Sequence, residues 1–282
     1  MDALYGWVRP GPVPPGGLAP EPGETLDALC GHWKIFQYAG GHRYSLDDLL
    51  TAWFGTTWCP RPGRIADLGS GIGSVALVAA WRCPGAEVHT VEAEPLSVRL
   101  AEKSARFNGV SPRFHVHAGD LRDPAVLAGE APFDLVLGSP PYWPQGSHQP
   151  ARHPQTRPAR FELRGGVEDY ARAARRLLAP GGLFACVMEL EQAARALAAF
   201  REARLAPLHR QDVRFKAGEA AGVILLAGGR PEDLPAELAD PEKWPRSSSP
   251  LTVRDEAGRV APDFARVRLT LGFPPGRLGG AG

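Results

Sequence analysis

Seven residues constrain this chain most: Asp67-Leu68-Gly69-Ser70-Gly71-Ile72-Gly73 joins a short apolar run, Arg64 to Leu68, to a helix-like stretch from about Gly73 to Trp81. Glycine at alternate positions lets a backbone turn tightly and approach a ligand without Cβ clashes. The same strand-turn-helix unit recurs downstream. Glu87 to Val91 reads as a strand, and Pro95 to Asn108 as a helix closed by Gly109. Phe114 to Ala118 and Phe133 to Leu137 are further strands. Glu168 to Ala179 has helical spacing and stops at Pro180-Gly181-Gly182. Leu183 to Met188 is a strand and Glu191 to Arg204 a helix, while Leu208 to Phe215 and Val223 to Ala227 read as a closing hairpin. Repeated β–α units imply a doubly wound α/β fold: a mostly parallel, seven-stranded sheet with helices on both faces and an antiparallel C-terminal hairpin.

Upstream of the turn, Trp33-Lys34-Ile35-Phe36-Gln37 alternates apolar and polar residues as a short strand does. Ser45 stands three residues before Asp48, a capping-box spacing with Asp in place of Glu or Gln, and predicts a helix from about Leu46 to Thr57. Residues 9–24 are dominated by Pro and Gly and read as a flexible lead-in, as does the end from Phe273. The expected organisation is a flexible segment over 1–30, one domain over 31–272 and a flexible tail over 273–282. A chain of 282 residues, 44% hydrophobic and 22% charged, suits one such globular domain. No apolar run approaches the roughly 18 residues a membrane span needs, and no secretory signal opens the chain. Cys30, Cys59, Cys83 and Cys186 have neither paired nor metal-ligand spacing, so reduced thiols, a cytoplasmic location and no metal are expected. The net charge of +1 leaves nucleic-acid binding to local clustering. The oligomeric state stays open.

The turn carries a chemical preference. A dinucleotide would put its pyrophosphate on the helix N-terminus, usually through G-x-G-x-x-G. Here the sixth position of that pattern is Ser74, and Asp67 precedes the turn. A carboxylate there repels pyrophosphate but suits the cationic amino-acid end of S-adenosylmethionine. Glu92, closing the second strand of the unit, can accept both ribose hydroxyls. Asp120, after the next strand, can accept an adenine amine or cap a helix. The expected cofactor residues are therefore Asp67, Gly69, Gly71, Gly73, Glu92 and Asp120, joined by Ser139. The strand Phe133 to Leu137 runs into Gly138-Ser139-Pro140-Pro141-Tyr142-Trp143. Paired prolines hold this segment extended with its carbonyls outward. Tyr142 and Trp143 offer flat faces on which a base can stack.

In the order of these motifs the chain resembles the class I amino-methyltransferases with an Asn-Pro-Pro-Tyr signature. More narrowly, it is similar to the bacterial tRNA adenine-N6 methyltransferases that modify the adenine beside the anticodon of a valine tRNA. The resemblance runs from about His32 to Arg268 and includes Lys34-Ile35-Phe36-Gln37, Asp47-Asp48-Leu49-Leu50, Tyr142-Trp143-Pro144-Gln145-Gly146 and Leu251-Thr252-Val253-Arg254. It implies an S-adenosylmethionine-dependent N-methyltransferase, with Ser139, Pro140 and Tyr142 as catalytic residues and tRNA or another RNA as partner. The departure is Ser139, where the family has Asn. In that family the Asn oxygen and the next proline's carbonyl accept the two amine hydrogens. Ser139 can accept through its hydroxyl, with shorter reach.

The loop from Ser147 to Arg164 carries Arg152, Arg157, Arg160 and Arg164 against Glu162 alone, and its prolines prevent a helix. It is placed to hold phosphates near the target, with Tyr142, Trp143, Arg152, Arg157 and Arg160 as substrate-binding residues. The alternative reading is a solvated surface loop. Gln37 to Tyr44 could close over the cofactor, or Tyr44 and His42 could simply pack. Two other readings stay open: methylation of another acceptor, such as another nucleobase amine, a protein glutamine or a small molecule, and a cofactor-binding RNA-interaction protein without catalysis.

Overall fold

The central strands of the molecule, Ile65 to Leu68 and Leu135 to Gly138, are short and almost wholly apolar, as strands buried on both faces require. In the computed structural model, which describes residues 6–143 and 162–276, these strands and three more are β3 (Arg64–Leu68), β4 (Glu87–Glu92), β5 (Phe114–Ala118), β6 (Phe133–Gly138) and β7 (Leu178–Glu189). All neighbours among them pair in parallel. The hairpin β8 (Ala206–Lys216) and β9 (Val223–Gly229) joins antiparallel, with β9 inserted between β7 and β8. The strand order is β8-β9-β7-β6-β3-β4-β5. These are the seven strands read from the sequence. Two short strands beyond them, β10 (Arg246–Ser247) and β11 (Leu251–Arg254), pair in parallel with β8, so the hairpin does not form the sheet's edge.

Helices cover both faces. On one lie α1 (Leu46–Trp58), α2 (Ser74–Arg82) and α3 (Pro95–Phe107), with Phe54, Leu77 and Leu100 in one buried cluster. On the other lie α4 (Val167–Leu177) and α5 (Ala193–Glu202), with Tyr170, Leu177 and Phe200 in a second. A last helix, α6 (Pro262–Thr270), packs on β11. The capping box at α1 forms as its spacing predicts: Ser45 Oγ accepts from the Asp47 N–H (3.2 Å) and Asp48 Oδ2 accepts from the Ser45 N–H (3.0 Å). No helix among the described residues is long and apolar enough to cross a membrane.

The N-terminal strand expected over Trp33 to Gln37 is β2 (Trp33–Tyr38), and it has a partner the sequence did not reveal, β1 (Glu24–Cys30). Leu29 and Cys30 are fully buried beside Trp33 and Ile35, so the packed unit includes residues on the N-terminal side of position 31. Residues 9–23 carry no helix or strand and lie against α2 and α3. The Gly16 N–H donates to the Phe107 carbonyl (3.2 Å), Gly11 abuts the Trp81 ring, and Arg9 donates to the Gly31 carbonyl (3.0 Å). The hairpin is clamped to α3 by a buried ion pair, Lys103 Nζ to Glu24 Oε2 at 2.7 Å.

Candidate active site

Ligands of open α/β sheets bind beyond the carboxyl ends of the strands, where the order reverses. Here the reversal falls between β3 and β6, and a cavity of about 660 Å³ opens there. Asp67, Gly69, Gly71, Glu92, Asp120, Ser139, Pro140, Tyr142 and Trp143 all line it. Gly73 is not among its lining residues: a Cβ there would meet Ala101 Cβ of α3 at 3.1 Å, so this glycine serves helix packing. Arg152, Arg157 and Arg160 lie outside the described residues, whereas Arg164 returns to the cavity wall.

Each carboxylate has its own environment. Asp67 is buried; its Oδ2 accepts from the Ala76 N–H (3.1 Å), while its Oδ1 is buried with no hydrogen-bond partner among the described residues. Burial, then the charge of Asp48, pushes the Asp67 carboxyl well above the usual range. Asp48, also buried, accepts from Ser74 Oγ (3.1 Å), and burial raises it too. Glu92 accepts from the Gly71 N–H (2.9 Å) and the Glu94 N–H (2.6 Å), which fixes the turn against the end of β4. Burial raises its carboxyl, with those two backbone bonds opposing. Asp120 differs: Arg122 grips both its oxygens at 2.6–3.2 Å and holds its carboxyl low.

The glycines of the turn meet an aromatic ring that sequence reasoning missed. A Cβ on Gly69 (φ +61°) would come within 2.0 Å of the Tyr170 hydroxyl, and one on Gly138 within 2.6 Å of the same ring. Tyr170, from α4, therefore underpins both the turn after β3 and the segment after β6. The aromatics of the Pro-Pro segment are likewise anchored. The Tyr142 hydroxyl donates to Asp47 Oδ2 at 2.7 Å, its carbonyl accepts from the Gln192 side chain, and Trp143 Nε1 donates to Glu189 at 3.3 Å. Burial raises Asp47, with the Tyr142 bond opposing. Asp47, Tyr170, Gln192 and Glu189 were not legible as site residues because each acts through a contact far away in the chain.

Seven carboxyl side chains line this cavity (Asp47, Asp48, Asp67, Glu92, Glu94, Asp120 and Glu189) against the guanidiniums of Arg43 and Arg164. Such a crowd favours a cationic ligand. The partnerless Asp67 Oδ1 and the open Gly71, whose Cβ would meet nothing closer than His42 at 3.9 Å, fit the sulfonium and ammonium of S-adenosylmethionine. Among the described residues one group has metal-ligating character outside the cavity: His89, His117 and Glu130, with His89 Nδ1 3.1 Å from His117 Nε2. Arg64 already brings a positive charge there, 3.2 Å from Glu130 Oε2.

Comparison with known proteins gives the chain a family. Residues 48–206 match the model of the methyltransferase small domain. The tRNA1(Val) (adenine(37)-N6)-methyltransferase of Porphyromonas gingivalis is 33% identical over 49% of this chain, and the match spans 55% of that enzyme's length. The protein of the same name from Pasteurella multocida is 30% identical over 80% of this chain and 86% of its own. Among solved structures, a predicted O-methyltransferase from Agrobacterium tumefaciens has a TM-score of 0.57 at 20% identity, covering 80% of this chain and 96% of that one, and so shares the fold.

Proposed function

This chain belongs to the methyltransferase small domain family, whose members use S-adenosylmethionine, and we propose that it methylates the exocyclic N6 of an adenine in tRNA. The observation that carries the reading is the convergence of Asp67, Glu92 and Asp120 with the Ser139–Trp143 segment on one cavity. The names of the relatives support tRNA as the acceptor. Such a substrate implies work in the cytoplasm.

The cofactor, when bound, supplies an electrophilic methyl on a sulfonium. The chain's own part is positional. Asp67 and Asp48 offer negative charge at the cavity floor, and Glu92 offers acceptor lone pairs beside the turn it fixes. An adenine amine is a poor nucleophile because its lone pair is delocalised into the ring. Ser139 Oγ and the Pro140 carbonyl accept its two hydrogens, which favours a pyramidal nitrogen and frees that lone pair as the transition state is approached. Tyr142 and Trp143 give the base a surface to stack on once it leaves its helix or loop. The bond from Tyr142 to Asp47 keeps the first of these rings in place.

Incubation with labelled S-adenosylmethionine and separate tRNA and protein fractions tests the reading. The expected product is N6-methyladenosine in digested tRNA, identified by nucleoside mass spectrometry; label confined to protein overturns it. A second reading, methyl transfer to another amine or amide, is favoured by Ser139, whose hydroxyl reaches less far than an Asn side chain.

A further inference from the structure

A second cavity, of about 740 Å³, shares a wall with the first, since Arg43 and Ser45 line both. Its chemistry is the reverse. Its acid, Asp27, is already engaged by Arg43 at 3.0 Å and by Thr25 and Gln37. Across from it stand Lys216, Arg254 and Arg268, none with a carboxylate within 4.0 Å among the described residues. Lys216 ends β8, Arg254 ends β11, and the two are register partners across that parallel pair. Like charges placed opposite one another on neighbouring strands are destabilising. Arg268 reaches in from α6, where its guanidinium lies over the Phe273 ring at 5.6 Å. Burial, and then the nearby charge of Arg254, disfavours its protonated form. Three elements thus bring cations together without an intervening acid, and Phe215 adds an aromatic face that is 39% exposed.

We propose that this groove holds the phosphodiester backbone of the RNA substrate, with Lys216, Arg254 and Arg268 contacting phosphates next to the nucleotide that enters the first cavity. The inference rests on RNA being the acceptor and adds the path the strand takes. Cations supply affinity and register while exposed aromatics tolerate any base, the combination used to track a single strand. The shared wall at Arg43 and Ser45 sets the groove beside the candidate active site.

The test compares the full-length protein with Lys216→Gln and with the Lys216→Gln/Arg254→Gln pair. Binding of fluorescein-labelled, unmodified tRNA is followed by anisotropy across a series of KCl concentrations. Thermal melting and S-adenosylmethionine calorimetry run alongside. For the double variant the slope of log K against log salt is expected to fall by about 0.7–0.9 for each phosphate no longer neutralised. Affinity is expected to drop on the order of tenfold or more, since charge-assisted bonds are removed. KM for tRNA rises while kcat at saturation and cofactor affinity hold. Lys216 is exposed and its side chain makes no hydrogen bond among the described residues, so its single variant reports on binding even if the pair melts early. Wild-type binding of tRNA with unchanged affinity and salt slope in both variants overturns the groove and leaves the acceptor reading standing. A wild-type protein that binds polyglutamate through Lys216 but binds no tRNA overturns both.

Discussion

Gly69 and Gly138 are spaced too far apart in sequence to look related, yet the Tyr170 ring excludes a side chain at either. Gly69 also sits at positive φ, where an L-residue is strained. Gly69→Ala is therefore expected to destabilise the fold by roughly 1–3 kcal/mol through backbone strain and overpacking. Adding Tyr170→Phe should recover part of that loss by removing the hydroxyl that a Cβ meets first; urea titration of the single and double variants measures it. Ser139 makes a different prediction. In the proposed reaction its hydroxyl accepts one amine hydrogen, and removing it in Ser139→Ala should lower kcat by roughly 2- to 150-fold, the effect of one hydrogen bond made in the transition state. At this scale the sequence disclosed Asp67, Glu92 and Asp120, whose places at strand ends bring them to one cavity. It concealed those that act by reaching across the fold, such as Asp47 beneath Tyr142 and Glu189 beside Trp143. Gly73 shows a packing role the glycine pattern did not disclose, since a Cβ there would meet Ala101.

Strands β4 and β5 place three imidazoles side by side, with His89 opposite His115 in register and His117 two positions further along. Burial, with His115 adding to it, pushes the His89 imidazole down to about 4. An unfolded histidine titrates near 6.5. Between these values the unfolded chain takes up a proton that the folded chain refuses, so stability is whole above pH 6.5 and declines as pH falls toward 4. The loss from this residue is on the order of 3 kcal/mol. Unfolding midpoints in urea measured across that range should fall for the wild type and fall less for His89→Gln. Elements with a local signal were readable: β3 and β6 by their apolar runs, α1 by its cap, α4 by the Pro-Gly-Gly that follows it. β1 was not, because seven residues beside a Pro/Gly-rich stretch lack a pattern until β2 pairs with them. β10 is two residues long and exists only because β8 offers it a partner.

For the molecule as a whole, the acidic cavity couples ligand binding to protons. Asp67 and Asp48 are buried with their carboxyls raised, so ionising them in the free protein costs stability as pH rises. A cationic ligand lowers both, and its uptake should release protons and tighten with rising pH through the range where they titrate. Calorimetry of S-adenosylmethionine binding in two buffers of different ionisation heat measures that release; equal heats in both would contradict it. The doubly wound plan was legible because alternation of strand and helix is a property of the chain, whereas the meeting of α1, β7 and α4 around one cavity belongs only to the folded object. The clamp between the N-terminal hairpin and α3 also limits how far the chain can be cut back. Glu24 lies fully buried against Lys103, which is itself 7% exposed. A shortened gene beginning at residue 31 would remove Glu24 together with the whole of β1, the strand that pairs with β2 and buries Leu29 and Cys30 beside Trp33 and Ile35. Shortening that removes the proline-rich leader but begins no later than Glu21 keeps both carboxylates that hold this lysine.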